Sequence, residues 1–119
     1  MLQKSSYVVP ADRCGVFWVN IFHLYKGSFR KKAYIGDFVK ISVKLTQPDN
    51  LVLKKSKYKG IIIRTKKEEI KKDGSWIKFY ENNVILLKKR LTPLGGEIYG
   101  PTLKKINRKK FLQSFPGCI

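Results

Sequence analysis

The sequence is poor in the residues that most enzymes use. Its 119 residues hold one histidine, His23, two cysteines, Cys14 and Cys118, and eight carboxylates. A lone histidine with no Cys-x-x-Cys spacing supplies no zinc-ligand set. Cys14 and Cys118 read as free thiols in a reducing compartment. His23 sits inside the apolar run Val16 to Tyr25, where a structural role accounts for it. Asp37, Asp49 and Asp73 stand in turn settings, and Glu68 and Glu69 read as charge balance for the lysines around them. The phosphate-binding and dinucleotide-binding glycine motifs are both missing. The chain is therefore expected to be no enzyme, with no catalytic residue, no cofactor and no metal. Long apolar runs are missing too. Val16 to Tyr25, interrupted by Asn20 and His23, is too short to span a bilayer and reads as a buried strand. Secretory and transit-peptide patterns are not seen at the N-terminus.

What the sequence does have is positive charge. Lys and Arg number 26 against 8 Asp and Glu, a net charge of +18. Such an excess repels itself in a compact fold, and a polyanion relieves the repulsion. A hydrophobic content of 43% argues for a folded core. The length fits one domain, residues 1–119, that buries roughly 65% of its unfolded surface without staples. Alanine occurs only at Ala11 and Ala33, and lysine far outnumbers arginine. Lysine lacks the bidentate fork that makes arginine the better phosphate reader. The bias therefore fits an AT-rich genome better than recognition chemistry.

The stretch Lys59 to Leu87 organises the rest. Gly60 precedes Ile61, Ile62 and Ile63, three β-branched residues suited to a strand buried on both faces. Asp73-Gly74 predicts a tight two-residue hairpin turn, because such turns need positive φ. Asn82-Asn83 is a second turn candidate, and Ile85-Leu86 opens a third apolar strand. Between the apolar ends lie Arg64, Lys66, Lys67, Lys71, Lys72 and Lys78, a basic arm that asks for an anionic partner.

This stretch resembles the signature of the universal large-subunit ribosomal protein family fourteen. The matching residues are Gly60, Ile61 to Ile63, Asp73-Gly74, Phe79, Asn82 and Ile85-Leu86, with Arg64 to Glu68 identical to the family pattern. Three weaker matches extend the resemblance over the whole chain. Asp12 and Gly15 keep a turn motif in which Arg13 and Cys14 replace Asn and Ser. Ile35-Gly36-Asp37 matches the family's Val-Gly-Asp. Ile98-Tyr99-Gly100-Pro101 resembles Ile-Phe-Gly-Pro, although Glu97 stands where the family has Arg.

Elsewhere, Val39, Ile41, Val43 and Leu45 alternate with Lys40, Ser42 and Lys44, a half-buried strand. Basic loops occur at Lys26, Arg30, Lys31 and Lys32, then at Lys54, Lys55, Lys57 and Lys59, then at Lys88, Lys89 and Arg90. Asn107 caps an expected short helix through Gln113, with Phe111 and Phe115 on one face. The expected fold is mainly β: a small five-stranded OB-like barrel with an extended basic β-ribbon and a short C-terminal helix. A closed or nearly closed barrel hides its strand edges.

Lysines on several separate loops neutralise phosphates and release counterions. Phe29, Tyr34, Tyr58 and Trp76 stand near these charges and are candidates for stacking on bases. The resemblance implies a structural constituent of the large ribosomal subunit. It would bind large-subunit rRNA through Lys26 to Lys32, Lys54 to Lys59, Arg64 to Lys72 and Lys88 to Arg90. Glu97, Tyr99, Lys104, Lys105, Arg108, Lys109 and Lys110 would serve protein or bridge contacts. Those partners are neighbouring large-subunit proteins, small-subunit rRNA across a bridge, and a ribosome-silencing factor. No membrane and no homo-oligomer is expected. The expected location is the mitochondrial matrix, in the mitochondrial ribosome, with a plastid or a bacterial cytoplasm as alternatives.

Two other classes compete. A free OB-like module that binds single-stranded nucleic acid, of the translation-factor type, would cluster aromatics on one exposed strand face and confine charge to one groove. An acidic-membrane binder would need a basic amphipathic helix.

Overall fold

A computed structural model describes residues 2–3, 5–11, 15–25, 32–46, 57–71 and 73–87. Nine strands run in order among these residues: β1 (Leu2–Gln3), β2 (Tyr7–Pro10), β3 (Val16–Leu24), β4 (Lys32–Ala33), β5 (Phe38–Thr46), β6 (Lys57–Arg64), β7 (Glu69–Ile70), β8 (Trp76–Ile77) and β9 (Asn83–Leu87). Strands β2, β3, β5, β6 and β9 form a closed barrel in that spatial order. Each joins the next antiparallel. Five strands are an odd number, so the first and last of such a meander run the same way. The closing pair β2–β9 is accordingly parallel, through Val9 opposite Asn83 and Pro10 opposite Val84. The five-stranded barrel is as the sequence predicts, while the expected extended ribbon is a short hairpin whose strands, β7 and β8, have two residues each. The expected C-terminal helix, with Phe111 and Phe115, lies outside the described residues, as do Cys14 and Cys118.

Register sorts the core. Val8, Val19 and Val43 share the inner face across β2, β3 and β5, and Ile21 lies opposite Ile41 one row on. All five are buried. Gly60 faces inward beside Val39 and Leu86. A Cβ there would come within 3.1 Å of the Ile85 carbonyl oxygen and 3.3 Å of Ile41 Cδ1. The first neighbour is backbone and cannot rotate away, so the close packing of β6 favours glycine, and a larger residue would have to push β9 outward by a few tenths of an ångström. Ile61, Ile63, Ile85 and Leu87 are buried as well. Ile61 and Ile85 pair on the opposite face from Gly60 and Leu86. The β6–β9 wall is thus buried on both sides, as three consecutive isoleucines imply.

The Ile35-Gly36-Asp37 motif is a β-turn with a physical reason for each residue. Asp37 N–H donates to the Tyr34 carbonyl at 3.0 Å. Gly36 holds φ at 90°, the left-handed value a type II turn needs at its third position. Asp37 Oδ2 accepts the Tyr34 N–H at 2.9 Å, and Asp37 is buried. Gly36 N–H donates to the Ile62 carbonyl at 2.8 Å, and Ile62 N–H to the Asp37 carbonyl at 3.1 Å. This turn fastens the start of β5 to β6.

Several expectations are corrected. Val16 to Tyr25 is not a fully buried strand. Residues 17, 18, 22 and 23 are exposed, because register shifts between Val16 and Trp18 and between Ile21 and His23 break the period of two. Leu45 is exposed for a similar reason, a shift between its pairing with Trp18 and that of Val43 with Val19. The turn at Asp73-Gly74 closes from Lys71 N–H to the Ser75 carbonyl, leaving three residues between rather than two, with Gly74 at φ 89°. Asn83 is no turn residue. It is buried at the first position of β9.

Candidate nucleic-acid interface

The basic arm begins where β6 ends. Arg64 is half-buried at the seam of the barrel, its Nε donating to Asn83 Oδ1 at 2.8 Å. Asn83 Nδ2 in turn donates to the Val9 carbonyl at 3.1 Å. One amide therefore ties β6, β9 and β2 together. Burial pulls the Arg64 pKa down from its usual value, and the charge of Glu81 works against that. Arg64 was expected to face rRNA. The structure gives its guanidinium a structural bond first.

The next residues set exposed charge, residues 66–68, between two buried anchors, Thr65 and Glu69. Thr65 is fully buried, and its hydroxyl donates to the Lys67 carbonyl at 3.0 Å. Its own carbonyl accepts the Phe79 N–H at 3.0 Å. Lys66 N–H donates to Asn82 Oδ1 at 2.7 Å. With backbone and threonine held, the side chains of Lys66 and Lys67 are left exposed. Glu69 has a structural role that the sequence did not suggest. It is 4% exposed, and its Oε1 accepts the Ile35 N–H at 2.9 Å. It joins the foot of the β7–β8 hairpin to the turn before β5.

The hairpin tip carries Lys71, and beside it Trp76 is 63% exposed. Asp73 Oδ1 accepts from Ser75 Oγ at 2.6 Å and Ser75 N–H at 3.0 Å, closing the tip. The Ser75 hydroxyl, then its N–H, holds the Asp73 carboxyl below the usual range. A depressed folded pKa gives a contribution fully present above the unfolded value of about 3.9. It is lost as pH falls through the lower folded pKa. The Ser75 amide resonance, tracked by NMR, should therefore hold its native shift across the neutral and mildly acidic range. It should move only at pH values below an ordinary aspartate titration.

A second basic surface lies on the barrel wall. His23, Lys40 and Lys59 occupy one cross-strand row of β3, β5 and β6, and Lys57 pairs with Ser42 a row away. Lys40 Nζ is 6.0 Å and Lys57 Nζ 5.8 Å from the centre of the Phe22 ring. Lys59 Nζ is 4.9 Å from the Tyr25 ring centre and 4.7 Å from that of Phe38. His23, far from being core, is exposed and meets Tyr25 edge-on at 5.1 Å. Sequence reasoning missed Phe22, Tyr25, Phe38 and Lys40. The alternation at Lys40 was a legible sign of an outer face, whereas the bulge that turns His23 outward beside Phe22 left no mark.

Of the expected rRNA-binding residues, Lys32, Lys57, Lys59, Arg64, Lys66, Lys67 and Lys71 are described. They divide between β4, the barrel wall and the ribbon. Lys26, Arg30, Lys31, Lys54, Lys55, Lys72, Lys88, Lys89 and Arg90 lie outside the described residues. So do Glu97, Tyr99, Lys104, Lys105, Arg108, Lys109 and Lys110. Of the stacking candidates, Tyr34 and Trp76 are exposed, Tyr58 packs on the core, and Phe29 lies outside the described residues. Among the described residues no group of three His, Cys, Asp or Glu is placed to hold a metal, and no helix is long and apolar enough to cross a membrane.

The chain is 54% identical to the large ribosomal subunit protein uL14m of Tetrahymena pyriformis over 119 residues, all of both chains. The family model for ribosomal protein L14p/L23e matches residues 1–115. With an anchored basic ribbon, a closed barrel and this match over nearly its whole length, the chain belongs to the ribosomal protein L14p/L23e family.

Proposed function

We propose that the chain is a structural constituent of the large subunit of the mitochondrial ribosome, in the matrix, and binds large-subunit rRNA. The observation that carries this reading is the ribbon. Buried Thr65 and Glu69 fix its foot, Lys66 and Lys67 are exposed, and partly buried Lys71 stands at its tip, in a chain of net charge +18. A rigid arm with outward cations grips phosphates in a fixed register and reads shape rather than sequence. The name of the Tetrahymena relative and the lysine-for-arginine bias support the mitochondrial location. Lys26 to Lys32, Lys54 to Lys59 and Lys88 to Arg90 would add phosphate contacts. The segment with Glu97, Tyr99 and Lys104 to Lys110 would meet neighbouring proteins, the bridge to small-subunit rRNA, and a silencing factor. The reversed charge at Glu97 calls for a complementary change in the partner it meets.

Charge-neutral substitution of the ribbon tests the reading. Lys66→Gln, Lys67→Gln and Lys71→Gln together should weaken binding to transcribed large-subunit rRNA. They should also flatten the log–log salt dependence by about three, one for each phosphate contact. An unchanged slope would place the ribbon away from RNA.

A further inference from the structure

We infer that the outer face of β3, β5 and β6, centred on Phe22, is a stacking site for unpaired RNA bases. This inference rests on the rRNA-binding reading but names a different surface and a different chemistry from phosphate contact by the ribbon. Three observations carry it. Phe22 faces out by alternation from the inward Ile21, and a β-bulge between Ile21 and His23 turns His23 out beside it. Lys40, Lys57 and Lys59 have their ammonium groups 4.7 to 6.0 Å from the centres of three rings, Phe22, Tyr25 and Phe38. The three strands contain no aspartate or glutamate. On this face the three lysines meet aromatic rings, and such cation–ring contacts are weak at exposed sites.

RNA suits all three features together. A phosphate draws an ammonium off its ring, and the base that comes with it takes the uncovered ring face. Each nucleotide brings both the charge and the flat apolar surface. A polypeptide covering the same area would have to supply separate carboxylates and separate apolar side chains. The free single-strand binder considered from the sequence was expected to cluster aromatics on a strand face. That cluster is present here, in a chain of a ribosomal family.

The test uses the purified full chain with a short single-stranded oligoadenylate and a short RNA duplex, read by fluorescence anisotropy at one salt concentration. Phe22→Ala should weaken single-strand binding about tenfold, the loss of one stacked base. Duplex binding should change less than twofold, and Phe22→Tyr should restore single-strand affinity. Phe22 is 38% exposed, and circular dichroism of each variant confirms that the barrel forms. Equal losses on both RNAs, or no loss on the single strand, would overturn the inference. So would a photo-crosslinker at position 22 that joins a polypeptide and no RNA in assembled subunits. Sedimentation with the large subunit separates the two readings. If the unmodified chain sediments with it while Phe22→Ala leaves oligonucleotide binding intact, only the stacking site fails. If the unmodified chain never does so, the ribosomal reading fails by itself.

Discussion

Between about 50 and 200 mM salt, the affinity of this chain for large-subunit rRNA should fall about a thousandfold. The size of the effect comes from cations that the structure leaves exposed or partly exposed. Lys66, Lys67 and Lys71 lie on the ribbon side, and Lys40, Lys57 and Lys59 on the barrel wall. If each neutralises one phosphate, about six counterions are released, which gives that slope. Lysine contributes as a point charge rather than through bidentate geometry, so little of the binding survives screening. A filter-binding titration over that range measures it. A fall of less than tenfold would mean that shape and hydrogen bonding, not charge, hold the RNA.

The second large effect is on stability. Asn83→Leu should destabilise the folded chain by about 3 kcal/mol and lower the melting temperature by roughly 10 °C. Leucine is close to asparagine in shape, so packing changes little. What changes is the hydrogen bonding at the barrel seam. Asn83 Oδ1 accepts from Arg64 Nε at 2.8 Å, and Asn83 Nδ2 donates to the Val9 carbonyl at 3.1 Å. Leucine removes both bonds and leaves a half-buried guanidinium and a backbone carbonyl each short of one. The neighbouring Asn82 makes one exposed bond, to Lys66 N–H. Asn82→Ala should therefore cost about 1 kcal/mol or less. Thermal unfolding of the two variants side by side gives the comparison. Equal melting temperatures would show that the seam is held without the Asn83 amide.

The barrel was legible in the sequence wherever chemistry recurs locally. Three isoleucines after Gly60, the alternation from Val39 to Val43, and the turn residues Gly36 and Gly74 each state a conformation within a few residues. Positions fixed by distant partners were not legible. Glu69 reads as one more charge in a charged arm, and its bond to the Ile35 N–H, 34 residues away, leaves no sign in the local sequence. Asn83 reads as a turn residue because its partner carbonyl at Val9 is 74 residues away. The aromatic face was missed for a third reason. A bulge adds one residue to a strand and reverses the exposure of the residues after it, and no residue type in Val16 to Leu24 announces it. So His23 read as core, and Phe22 with it as part of one apolar run.

The central claim is membership of a working ribosome, and sedimentation of the tagged protein tests it most directly. Lysate from whole cells and from isolated organelles is run through a density gradient at full and at dissociating magnesium. The protein should sediment with the whole ribosome at full magnesium and with the large subunit after dissociation, in the mitochondrial fraction. A slow-sedimenting pool that binds single strands, with none on ribosomes, would contradict the ribosomal role and leave a free nucleic-acid-binding barrel in its place.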